Sequence, residues 1–340
     1  MISRTTLQKA ANKNIIEAQQ VDALYEFLQQ EASHNAADES RDEPLKFVRS
    51  FGDVFITLGI ILLLVASNKL AISGYYYLLP AAAFVLLAEW LVKRRRLSLP
   101  GIAILIAILF FINRALSIEH PQANIITLAV LGVSSLLFYL RYRMPFSLLP
   151  LAMSGVAIFV LQLGLDILQQ PLILLVPGLI LFSIAVAFDA QDSQRQTHLS
   201  DSAFWLHLVA SPLIVHSVMV SILFSEASWT HWLNKELLML VFFIGFFLLA
   251  LLLDRRAMLV STQLYVIYAL TQLLQHSLSP GENLLIYLLM LLGLFVIFFG
   301  TYWYKTRRLL FARLADLPVA RFLPDLQLQD SKPHSVTGGK

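Results

Sequence analysis

Ten runs of apolar residues, each about long enough to cross a bilayer, take up most of this 340-residue chain. A spanning helix needs roughly 20 mainly apolar residues to cover ~30 Å of hydrocarbon. The runs fall at 51–67, 73–92, 99–116, 122–140, 146–165, 171–188, 202–224, 236–253, 257–275 and 284–304, the third and sixth being among the shortest. In lipid every backbone polar group must be satisfied internally, which leaves helices or closed barrels. The runs lack the alternation of barrel strands. The predicted fold class is therefore all-α: a polytopic membrane helix bundle of about ten transmembrane helices, with a small N-terminal cytoplasmic helical hairpin. Composition agrees, with 58% hydrophobic and only 14% charged residues, where a soluble domain carries about 25% charged.

The basic residues orient the bundle. With the N-terminus in the cytoplasm, only Lys69, Arg114 and Lys235 of the 25 Lys and Arg fall on the opposite side, leaving 22 on the cytoplasmic side. Such a bias across short loops is the positive-inside pattern, and it demands an even number of spans with both termini inside. The clusters Lys93–Arg96, Arg141–Arg143, Arg255–Arg256 and Lys305–Arg308 recur at about 50-residue spacing, with one longer interval that includes the poorer loop 189–200, which fits any ten-span chain with short loops or an old duplication of hairpins. The first 46 residues are polar and lack an early apolar core, so no cleavable signal peptide is expected and the first span is read as an uncleaved anchor. Cysteine is absent, which excludes disulfides, thiolate metal sites and cysteine nucleophiles.

Four regions follow: a cytoplasmic helical hairpin over 1–32, an acidic linker over 33–46, the ten-span domain over 47–308, and a juxtamembrane and disordered cytoplasmic tail over 309–340. In the hairpin, Ser3 is a candidate N-cap ahead of Leu7, Ala10 and Ala11, and Asn12 to Asn14 interrupt the pattern. A second helix is expected from about Glu17, with Val21, Leu24, Tyr25 and Leu28 on one stripe. So short a hairpin buries little core alone and must pack on itself, on the membrane domain or on a partner. In the tail, Leu309, Leu310, Phe311, Arg313, Leu314 and Leu317 suggest a basic, apolar turn or two at the membrane surface, anchored by anionic lipid.

The opening, ISRTTLQKAANKNIIEAQQVDALYEFL, resembles the N-terminal hairpin of uncharacterised bacterial multi-pass inner-membrane proteins. In those, a helix, a short Gly-Ile-Ile-like turn and a second helix carrying a Gln precede a run of spans. Here Asn14 stands where that turn has Gly. The stretch from Asp201 to His216 is similar to a segment of the same proteins. The resemblance implies a bacterial inner membrane and no particular activity.

Ionisable residues inside a span are costly and frequently functional. Arg49 and Asp53, and likewise Glu89 and Lys93, lie four residues apart on one helical face and are read as interfacial ion pairs. Asp189 and Asp254 close spans six and eight, and Asp166 ends span five, each as an interfacial pair or cap. Span seven differs. It is expected to begin at Asp201 or Ser202, and it holds His207, Ser211, Pro212, His216 and Ser217. Pro212 removes a backbone donor and tends to kink a helix, and a kink flanked by hydroxyls lets a helix line a cavity. His207, Ser211, Pro212 and His216 are therefore the candidate binding residues. His207 and His216 lie nine positions apart, about 180° around an ideal helix, so the alternative is that each bonds a neighbouring helix. On the outer side, His120, His216, His231 and His276 show no ligand spacing, so neither a metal nor a cofactor is expected. The pairs Ala103/Ala107 and Ser183/Ala187 are expected to favour close helix packing.

No P-loop, GxSxG or GxGxxG motif is present, and the cytoplasmic loops are too short to build a soluble active site, so no enzyme class gains support. The basic groups are of the topological kind, and no nucleic-acid partner is expected. The expected partners are membrane lipids and a cytoplasmic protein for residues 1–32. The favoured function is transporter- or flippase-like handling of an apolar or amphiphilic solute, because buried charge is scarce. The alternative is a non-transporting scaffold or sensor acting through the hairpin.

Overall fold

The computed structural model describes residues 7–8, 11–12, 16–17, 19–28, 51–70, 74–117, 125–164, 170–192, 197–224, 234–277 and 284–311. The chain divides into two compact units, Met1–Lys46 with Leu328–Lys340, and Phe47–Gln327. In the first, residues 20–28 are helical. The Glu17 N–H donates to Gln20 Oε1 at 3.3 Å, one half of a capping box. Val21 is buried, Leu24, Tyr25 and Leu28 are half-buried, and Phe27 is 56% exposed. Asp22 and Glu26 are exposed.

The second unit holds the spans: α1 (Phe51–Asn68), α2 (Gly74–Arg94), α3 (Ser98–Ser117), α4 (Ile125–Tyr142), α5 (Pro145–Leu163), α6 (Pro171–Gln191), α7 (His198–Leu223), α8 (Lys235–Leu253), α9 (Gln263–Ser277) and α10 (Leu284–Phe311). Among the described residues, nine helices are long and apolar enough to cross a membrane, and Met258–Leu274 is a shorter apolar helix. The chain is a multi-pass, all-α integral membrane protein. The short element is the ninth rather than the third or sixth. It opens as a 3₁₀ segment, Arg256–Thr262, of 7 residues, and continues as 15 residues of α9. A 3₁₀ turn rises ~2.0 Å per residue and an α-helix ~1.5 Å, so together they reach roughly 36 Å, enough for the hydrocarbon.

Helix boundaries follow local chemistry. Pro145 and Pro171 open α5 and α6, where a missing N–H costs nothing. Gly164 closes α5 with φ 61°, the left-handed cap that glycine adopts without penalty. α7 starts at His198, earlier than Asp201, because Thr197 caps it by accepting the Leu199 N–H at 3.2 Å. α10 continues past residue 304 to Phe311, with non-helical angles at Tyr302.

Three turns share one geometry. Arg96, Arg143 and Asp254 adopt φ of 54°, 54° and 56°, and each is followed by one residue before the next helical element begins. A left-handed non-glycine residue costs roughly 1–2 kcal/mol, so packing must hold these turns. The recurrence of basic clusters in the sequence is therefore matched by a recurrent hairpin turn after α2, α4 and α8.

Consecutive helices pack as antiparallel pairs, most extensively α6 against α7. That closeness depends on Gly178. A Cβ there would lie 3.0 Å from Ile214 Cγ1 and 3.2 Å from the Ile214 backbone nitrogen. Gly132 meets Ser154 in the same way across α4 and α5, at 3.3 Å. The expected Ser183/Ala187 contact is not formed. Both residues are exposed, and the Ser183 hydroxyl returns to the Leu179 carbonyl at 2.8 Å. Ala107 is fully buried and Ala103 packs beside it in a core around Phe111 that draws on α1 to α4. A second core joins α7 to α10 around Val215, Met239, Leu251, Met258 and Trp303. A third joins α5, α6 and α7. α7 belongs to two cores, which makes it the hub of the bundle: 61% of its most apolar window is buried, against 11–44% for the other eight long spans.

Candidate functional site

α7 carries different chemistry on its two faces. One face holds His207, which is 1% exposed and lies against the Phe182 ring with centroids 5.2 Å apart. Its Nε2 is 3.0 Å from Asp189 Oδ2, near the end of α6. Asp189 in turn receives Arg255, from the turn between α8 and the 3₁₀ segment. Arg255 Nε donates to Asp189 Oδ2 at 3.2 Å, and Nη2 donates to Oδ1. The same Nη2 reaches the Ser200 carbonyl at 3.0 Å and the Ser200 hydroxyl at 3.1 Å. Asp189 and Arg255 are each 2% exposed. A buried ion costs several kcal/mol in lost hydration unless an opposite charge and hydrogen bonds compensate it, and here a two-point carboxylate–guanidinium pair does so. The contact ties two hairpins together at the end of the bundle where the basic clusters lie.

A second set of contacts braces that end. Trp303 Nε1 donates to Asp254 Oδ1 at 2.5 Å. Arg307, also buried, donates to the Leu251 carbonyl at 3.1 Å and the Leu252 carbonyl at 3.3 Å, satisfying the orphan carbonyls that end α8. The Arg256 guanidinium lies over the rings of Trp303 and Tyr304, at 5.6 and 5.0 Å from their centroids.

The other face of α7 borders an apolar groove of about 630 Å³ between α4, α5, α6 and α7. Leu128, Met153, Val156, Leu174, Leu208 and Pro212 are among its lining residues, all of them apolar. Pro212 thus lies in a cavity wall, yet α7 remains one continuous helix across it. The Ser211 hydroxyl donates to the His207 carbonyl at 2.7 Å, one residue before the Leu208 carbonyl that proline leaves without its helical donor. A smaller apolar cavity of about 260 Å³ lies between α8, α9 and α10.

The four span-seven candidates therefore separate. His207 and Ser211 are buried on the polar side, and Pro212 lines the groove. His216 pairs through Nδ1 with the Tyr265 hydroxyl of α9. Glu89 and Lys93 stand 3.7 Å apart, but the stronger partner of Glu89 is Arg141 of α4, with bonds of 2.9 and 3.1 Å, joined by the Tyr142 hydroxyl at 3.1 Å. Asp53 is buried; Arg49 lies outside the described residues, as do Asp166, His120 and His231. Among the described residues no three His, Asp or Glu gather as a metal site. Sequence reasoning missed Arg255, counting it only as a topological charge. The available signal was an acidic residue closing one span and a double arginine closing another, with nothing local to pair them across 66 positions.

Comparisons with protein-family models, curated proteins and solved structures return no match to this chain.

Proposed function

We propose that this protein sits in a bacterial inner membrane with both termini in the cytoplasm and moves an apolar or amphiphilic solute, in the manner of a transporter or flippase. The observation that carries this reading is the groove. It is bordered by the most buried helix, it has a proline in its wall, and its described lining offers no polar side chain. A volume of about 630 Å³ falls within the ~300–1,000 Å³ of small-molecule sites, and an apolar lining selects an acyl-like body over an ion. Orientation is supported by the basic clusters, which the short turns after α2, α4 and α8 bring to one end.

The test is reconstitution of the full chain in liposomes with a short-chain fluorescent phospholipid, followed by reductant bleaching of the outer leaflet. Protein-containing vesicles should bleach beyond the half expected for a static bilayer. Val156→Trp, which fills the groove, should reduce the excess several-fold. Bleaching that stops at one half in protein-containing vesicles overturns the reading.

One observation favours a second reading. Phe27 is 56% exposed on the hairpin helix, as a docking side chain for a cytoplasmic protein would be. Under that reading, deleting residues 1–40 leaves a folded, correctly oriented membrane domain and abolishes only the biological role. A truncated chain that is degraded or inverted argues instead that the hairpin belongs to the bundle.

A further inference from the structure

The groove and the His207 contact to the buried ion pair share the same two turns of α7. Leu208 and Pro212 line the groove, while His207 and Ser211 are buried away from its lining. His207 is the group whose ordinary titration falls in the physiological range. From α6, Asp189 contacts it; Asp192, at the end of the same helix, is held by Thr197 through bonds of 2.7 and 2.8 Å. From the turn after α8, Arg255 reaches it through Asp189, whereas Arg256 stacks on Trp303 and Tyr304 and Asp254 bonds Trp303. Lys235 and Glu236 lie at the far start of α8, and α5 with its opening turn carries no titratable side chain. On α7 itself, His198 and Asp201 lie nine and six residues before His207, and His216 lies nine residues beyond it.

We propose that Asp189, His207 and Arg255 form a proton-binding latch that ties the α6–α7 hairpin to the turn after α8, and that one proton taken up by His207 releases it. Its link to solute movement rests on the transport reading above; the latch itself does not. With Asp189 ionised against Arg255, neutral His207 carries its hydrogen on Nε2, directed at Asp189 Oδ2. The incoming proton is given up by a hydronium ion at the basic end: its O–H bond breaks, leaving a water molecule, and an N–H bond forms on Nδ1. The trio then passes from net neutral to one positive charge in a water-poor site, where a surplus charge is costly. Two cations now compete for one carboxylate. His207 is the tenth residue of α7, about 14 Å along the helix from its start at 1.5 Å per residue, and it has nowhere to go. Arg255 sits on a turn at the end of the bundle and can swing its guanidinium into water. Its departure frees the 3₁₀ segment that carries buried Met258, and with it the packing on the polar side of α7.

The chain has no cysteine, so Met258→Cys gives a single reporter in the full-length protein. Its labelling by a maleimide in detergent is measured against Leu309→Cys, where Leu309 is 82% exposed, to remove the intrinsic pH dependence of the thiol. Relative labelling should rise several-fold from about pH 8 to about pH 5, across the histidine range. The rise should vanish with His207→Gln, and labelling should be high at both pH values with Asp189→Asn. A flat profile without these changes, or an undiminished rise in His207→Gln, overturns the latch. Should His207→Gln fail to fold, deuterium exchange at the imidazole carbon of His207 in the unaltered chain decides. A sigmoid within the same range supports the latch, and a flat rate overturns it. Fluorescent-phospholipid movement in the same preparations separates the two ideas. Movement with flat labelling sinks the latch alone, and pH-dependent labelling without movement sinks the transport reading alone.

Discussion

Burying Arg255 beside Asp189 takes two charges out of water, and the pair survives because each group finds several partners in fixed geometry. This makes the energetics asymmetric. Removing either partner alone strands a buried charge, at a cost of about 3–5 kcal/mol, whereas replacing both by apolar groups of similar volume is close to neutral. Arg255→Met and Asp189→Leu should each lower the detergent melting temperature steeply, and the double variant should recover most of the loss. Additive losses in that double-mutant cycle would show that the two residues do not act as a pair. Trp303→Phe is a milder case: it removes the donor to buried Asp254, at a cost of about 1–3 kcal/mol, read as a smaller shift in the same melting assay. Pattern reading singled out Asp189 and Asp254 as interfacial pairs or caps, but it could not name their partners Arg255 and Trp303, for a physical reason. Charge in a membrane protein is abundant at helix ends, and only tertiary contact distinguishes an arginine that faces headgroups from one folded back under its own turn.

Helices were legible from composition, because a 20-residue apolar run in lipid has few other solutions. How they pair was less legible. The stripe of Val21, Leu24 and Leu28 and the existence of ten apolar elements could be read off the chain. The Ser183/Ala187 pair could not, since small residues occur on exposed faces as readily as at contacts. The close approach of α6 and α7 depends instead on Gly178 against Ile214. Gly178→Ala should therefore lower stability by about 1–3 kcal/mol, the usual cost of overpacking. Gly155 and Gly245 have nothing within 4 Å of an added Cβ, so alanine there should be tolerated or slightly stabilising, because glycine inside a helix costs about 1 kcal/mol. Thermal unfolding of the three single variants checks the contrast, and equal effects at Gly178 and Gly245 would remove the tight contact as its cause. Pro212 teaches the same lesson from the other side: α7 continues as a helix across it, and what proline contributes is a groove wall.

At the scale of the whole molecule, span count and charge partition constrain each other. A missed or false span would invert every later loop and scatter the basic residues over both faces, whereas only Lys69, Arg114 and Lys235 fall opposite the rest. The ninth element tests this most severely, since Met258–Leu274 is shorter than the other apolar helices and a length rule alone would discard it. Its 3₁₀ opening restores the reach, and Arg255 at its head is held at the basic end by Asp189 and Ser200. If α9 crosses, α10 returns and the cluster Lys305–Arg308 lies with Lys93–Arg96. If α9 does not cross, those two clusters lie on opposite sides. Reporter fusions decide between the two. Activity of a periplasm-specific reporter is expected at residues 120 and 230, and activity of a cytoplasm-specific reporter at 95, 142 and 312. Cytoplasmic activity at 120 would discard the orientation altogether. Periplasmic activity at 312, with the other positions as expected, would leave nine spans and an α9 folded back on its own side, and would set Arg307 and Arg308 against the positive-inside bias that the rest of the chain obeys.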